Sequence, residues 1–227
     1  MRRRNQPGRY TLLLVTILLL LIAEPFFLRH TLAQAFTLVA MSFVLLSALS
    51  TLNLSKGYLV LGILLALPAL VSRWILQFEQ NGPLEMIVAV TASAFIMVTV
   101  IGLMRHLFSV KDVTFDTISA AVCAYLLIAL GWAFIFALVE LEDPASFSSG
   151  LLVKHAVVGS ALLATMNNAI YYSFVCLTTT GYGDIAPLSE VTRTLSILES
   201  VTGQMYLAIL IARLVSLQVA QSMTAQR

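Results

Sequence analysis

Six apolar runs, each close to the length of a bilayer-spanning helix, constrain this chain more than anything else in it. They cover Tyr10–Leu28, Ala33–Leu52, Gly57–Leu76, Met86–Leu107, Thr117–Val139 and Val191–Leu217. About 20 apolar residues cross the hydrocarbon of a bilayer, and a helix satisfies its own backbone there. The expected fold is therefore an all-α membrane protein with six transmembrane helices. Composition agrees, since 59% of the residues are hydrophobic and 11% charged, against about 25% charged in soluble domains. So much apolar surface excludes disorder, and a net charge of +2 with scattered basic residues excludes a nucleic-acid surface. Cys123 and Cys176 both lie in apolar runs, without metal-ligand spacing or a disulfide framework.

Charge placement sets the expected topology. With a cytoplasmic amino terminus, Arg2, Arg3, Arg4, Arg9, Lys56, Arg105, Lys111, Arg213 and Arg227 fall inside, and Arg29, Arg73, Lys154 and Arg193 outside. Nine against four obeys the positive-inside rule, and six spans return the carboxyl terminus to the cytoplasm. The first run is read as a span rather than a cleaved signal, because no A-x-A site follows it. Between the fifth and sixth runs, Leu141–Gly150 has the composition of an exposed connection. The next stretch, Leu151–Leu177, turns apolar again but is broken by Lys154, His155, Asn167 and Asn168. That pattern suits a re-entrant helix, one that enters the membrane without crossing it, which is tolerated at depth where protein or a water-filled cavity surrounds it.

This helix leads into Thr178-Thr179-Thr180-Gly181-Tyr182-Gly183-Asp184. Alternating glycines open backbone conformations closed to residues with a Cβ, so successive carbonyls can point the same way. Carbonyls and threonine hydroxyls together make an oxygen lining without formal charge. Such a lining replaces the hydration shell of a monovalent cation yet lets the ion leave, whereas a carboxylate cage would hold it too tightly. The preceding helix would turn its negative end toward the cation.

The segment resembles the selectivity filter of bacterial potassium channels of the ion-channel pore family. The resemblance extends beyond Thr179–Gly183, because Pro187 stands three residues past Asp184, Arg193 matches a basic position early in the inner helix, and Gly203 falls at the hinge glycine. It spans about Thr117–Leu217. It implies a filter loop between the fifth and sixth spans, potassium ions bound in transit, and a homotetramer in the membrane. Thr178 and Thr179 would supply hydroxyl and carbonyl oxygens, Thr180, Gly181 and Tyr182 carbonyls, and Gly183 the outward turn. Tyr171, Tyr172 and Asp184 would brace the filter. Gln204, Leu207, Ile211 and Val215 would line the inner cavity below Gly203. Two residues depart from the pattern: Thr180 replaces the usual valine or isoleucine, and Val175 stands where some relatives carry a glutamate that clamps the residue matching Asp184.

The expected division is 1–112, a four-helix domain in the position of a voltage sensor, and 113–227, the pore domain. A sensor needs several arginines on one helix, but Met86–Leu107 has none before Arg105, so gating is expected to be only weakly voltage-dependent. Glu199, an ionisable residue within a span, reads as functional by default, facing either the cavity or the back of the filter. Gly203 reads equally as a hinge and as a packing contact. Arg73 and Glu24 read as snorkelling residues, and Glu140, Glu142 and Asp143 as a solvated outer loop. No Ser/His pair, paired carboxylates or metal spacing marks an enzyme. The expected function is passive potassium conduction in the bacterial plasma membrane. The alternative is a non-conducting or regulatory channel-like subunit that needs an unidentified partner for conduction or gating.

Overall fold

The computed structural model describes residues 8–27, 39, 42–49, 56–75, 82–110, 113–148 and 161–225. Among these, all regular structure is helical. The helices are α1 (Arg9–Phe27), α2 (residues 42–49), α3 (Lys56–Ile75), α4 (Gly82–Ser109), α5 (Phe115–Glu142), α6 (Ala161–Leu177) and α7 (Glu190–Ala225). Three are long and apolar enough to cross a membrane, over Pro83–Ser109, Phe115–Glu142 and Glu190–Val219. The apolar parts of α1 and α3, Tyr10–Ile22 and Val60–Val71, are shorter. Of the second apolar run, only 39 and 42–49 are described. Lys154 and His155, and the side chains of Glu24 and Arg73, lie outside the described residues.

Local chemistry sets the helix ends. At the start of α5, Thr114 Oγ1 accepts from Thr117 N at 3.2 Å while Thr117 Oγ1 accepts from Thr114 N at 3.4 Å. This reciprocal pair satisfies two of the donors that a helix start orphans. Ser189 does the same for α7, its Oγ accepting from Thr192 N at 3.2 Å.

The chain divides into two units. One comprises Met1–Gly62, Val98–Leu126 and Ala208–Arg227. Within it Leu13, Ile17 and Leu20 of α1 are fully buried at helical spacing. The Tyr10 and His106 rings meet at 4.9 Å, and a Cβ on Gly8 would overlap the Asp116 carboxylate. Arg213 of α7 caps α4: Nε donates to Leu107 O at 3.0 Å, and Nη2 donates to Phe108 O and, at 3.2 Å, to Val110 O. A planar guanidinium thus satisfies carbonyls that the helix end leaves unpaired.

The other unit comprises Ile63–Met97 and Leu127–Leu207. Its centre is an aromatic trio in which Phe136, Phe147 and Tyr172 pack edge to face at centroid distances of 5.0–6.0 Å. Buried Ala129, Ala133 and Ala137 line α5, and small residues let helix backbones approach closely. Glu140 corrects the expectation of a solvated outer loop. Helix α5 continues to Glu142, so Glu140 lies one turn after Phe136 on the packed face and is fully buried, while Glu142 and Asp143 are exposed.

Candidate functional site

The site is built around α6, which is fixed at both ends and in the middle. At its start, buried Glu85 of α4 accepts from Leu162 N at 3.1 Å. A carboxylate there takes up an orphaned amide and complements the positive end of the helix dipole. The sequence hides this cap, because Glu85 and Leu162 are 77 residues apart. In the middle, Tyr172 and Ser196 share a hydroxyl hydrogen bond of 2.6 Å, and Ser173 Oγ contacts both Ala129 O, at 2.7 Å, and Glu199 Oε1.

At its end the carbonyls of Phe174, Val175 and Cys176 all have donors. Thr180 N donates to Val175 O and Thr179 N to Cys176 O, both at 3.0 Å. This six-to-one and five-to-two pair is a Schellman cap, with Thr179 in the left-handed position at φ 56°. Phe174 O accepts from Thr178 N and Oγ1, and Cys176 O also from Ser200 Oγ at 3.1 Å. Gly203 of α7 rests on this turn, where a Cβ would overlap the Leu177 carbonyl oxygen. Any side chain at 203 would push α7 off the helix end, so the contact gives Gly203 a packing role.

Beyond the cap the backbone alternates in handedness. Left-handed φ recurs at Thr179, Gly181 (61°) and Gly183 (80°), with the residues between outside that region. Glycine meets this demand at no steric cost. A β-branched residue does not, which makes Thr179 a genuine outlier. Sequence reasoning identified the two glycines, and named Thr179 for its oxygens but not for its left-handed backbone. The signal was present in its distance of two residues beyond the end of an apolar helix, where a Schellman cap needs a left-handed residue.

Side chains of α6 and of the strand itself hold it. Tyr171 Oη donates to Asp184 Oδ2 at 2.8 Å, and the rings of Tyr171 and Tyr182 are parallel, with centroids 6.5 Å apart. Thr180 Oγ1 bonds Thr178 Oγ1 at 2.7 Å. Residues 178–184 are all exposed. After Asp184 the chain pairs with the loop that follows α5. Phe147 bridges Pro187, Ser148 N donates to Ala186 O at 2.9 Å, and Ser146 O accepts from Leu188 N at 2.8 Å. Arg193 Nε reaches Pro187 O at 3.4 Å.

The remaining expected residues fall on α7 and α6. Gln204, Leu207, Ile211 and Val215 are exposed along α7, Val175 is half-buried on α6, and Glu199 is buried rather than exposed. Among the described residues no group of three or more His, Cys, Asp or Glu side chains has the arrangement of a metal site.

No curated protein and no solved structure matches the chain. Residues 147–219, which run from the bridged loop through α6, the Thr178–Asp184 strand and most of α7, match the family model described as "Ion channel".

Proposed function

We propose that this chain is one subunit of a potassium-selective channel, in which four copies surround a central pore and potassium passes down its electrochemical gradient. The observation that carries this reading is the alternation of left-handed φ at Thr179, Gly181 and Gly183 on an exposed strand. When residues alternate in handedness, successive carbonyls turn to one side, giving a row of oxygens. One row offers one oxygen per level, and a cation stripped of water needs a ring, hence four strands. Carbonyls of Thr178 to Tyr182, with the Thr178 and Thr179 hydroxyls, would coordinate the ions; Gly183 would turn the chain outward. Tyr171, Tyr182 and Asp184 brace the strand so that the oxygens keep the spacing of a potassium ion. The exposed side chains of Gln204, Leu207, Ile211 and Val215 would line the inner cavity. The six-span topology, cytoplasmic termini and bacterial plasma membrane complete the reading.

The test is flux from liposomes loaded with potassium and holding only the purified chain. Autonomous potassium efflux is the expected result; no efflux without an added partner would favour a regulatory subunit. Tyr182→Asp removes the aromatic brace and should relax discrimination against sodium, while Thr180→Val should leave it near that of the parent chain. The reverse outcome would overturn the assigned roles.

A further inference from the structure

Glu199 is fully buried on α7. Its Oε1 is hydrogen-bonded to Ser173 Oγ of α6, and its Oε2 has no partner among the described residues. The same Ser173 Oγ donates to the Ala129 carbonyl of α5 at 2.7 Å. A hydroxyl has a single proton to give. Once that proton lies on Ala129 O, the Ser173 oxygen can only accept. The bond to residue 199 then closes only if the side chain there is the donor. A neutral carboxylic acid can donate; a carboxylate cannot.

The surroundings agree with the neutral form. Tyr172 and Cys176 of α6 interact electrostatically with Glu199, and neither is a cation. Among the described residues no basic side chain bonds either oxygen. An ionised carboxylate buried without a cation is strongly penalised, whereas a hydrogen-bonded acid is not. Ser173 lies one turn before Leu177, the last residue of α6, so this junction sits directly behind the Schellman turn that sets Thr179.

We infer that Glu199, as a neutral acid donating to Ser173, is a positioning residue for the filter, joining α5, α6 and α7 through one hydroxyl. The inference rests on the channel reading above and deepens it. The acid sets where α6 ends, and α6 sets where the oxygen row begins.

The experiment compares Glu199→Gln, Glu199→Leu, Ser173→Ala and the Leu/Ala double variant in full-length channels, reading sustained against peak potassium current. Gln keeps a donor for Ser173 and should stay within about twofold of the parent. Leu keeps the volume but takes away the donor to the Ser173 oxygen, which then bonds only Ala129 O, and should lower the sustained fraction by about tenfold, as should Ser173→Ala. The double variant should lose no more than either single, because both break one junction. Gln as damaging as Leu, or Leu indistinguishable from the parent, would overturn the inference. Infrared difference spectra of the parent against Glu199→Gln supply a readout independent of conduction. The carbonyl stretch of a neutral acid supports the inference, and carboxylate stretches refute it. A parent chain that fails to conduct would instead count against the channel reading, and the infrared result would still judge the acid.

Discussion

At the end of α6 a β-branched threonine holds φ of 56°, in the position where a Schellman cap most often has glycine. Left-handed backbone costs a residue with a Cβ about 1–2 kcal/mol. Thr179→Gly should therefore stabilise the chain by about 1 kcal/mol, seen as a raised Tm. It should also weaken discrimination between potassium and sodium, since the hydroxyl goes with the side chain. A higher Tm with unchanged selectivity would mean that the Thr179 hydroxyl has no part in coordination. The opposite trade holds at Gly203, where alanine would drive a methyl into the Leu177 carbonyl. Overpacking of this kind costs about 1–3 kcal/mol, so Gly203→Ala should lower Tm, and an unchanged Tm would contradict the packing role. The glycines at 181 and 183 were legible because only that residue type meets the backbone demand freely. Glu140 and Glu85 were not, because helix register and contacts distant in sequence decide their roles, while the left-handed backbone of Thr179 was written only in its place two residues past the end of α6.

Along each element, the apolar runs locate α1, α3, α4, α5 and α7 because a helix in lipid must carry its hydrophobic length in sequence. Polar caps escape that signal, and Arg213 is the clearest case. In sequence only a cytoplasmic charge, it closes the carbonyl end of α4 through Leu107 O and Phe108 O, reaches Val110 O just beyond, and lies over the Phe108 ring at 5.1 Å. Arg213→Ala should destabilise the chain by about 1–3 kcal/mol. Arg213→Lys should restore only part of the loss, because an ammonium lacks the planar fork; full rescue by lysine, measured as Tm, would reduce the cap to a point charge. Helix α4 itself bears on gating. Its only formal charges are Glu85 and Arg105, near opposite ends. Moving one charge through the whole field is worth about 2.3 kcal/mol per 100 mV, and steep gating needs several. Open probability in symmetrical potassium should thus vary gently with voltage. A steep sigmoid with gating currents would contradict this.

For the whole molecule, the decisive contrast is between helices. Half of the apolar window is buried in α4 and in α5, but only 17% in α7. Ile197, Val201, Met205, Ile211 and Val215 are all more than half exposed in the lone chain, an apolar face that lipid or further copies must cover. The proposed tetramer covers part of it and brings four oxygen rows together, so mass measurement in detergent should give four chains per particle. A monomer that conducts would remove the reason for the ring. The most direct test of the central claim is a bilayer recording of the purified chain with potassium on one side and sodium on the other. The account predicts a current that reverses far toward the potassium equilibrium potential, with sodium nearly excluded. A reversal near zero, with sodium as permeant as potassium, would contradict it.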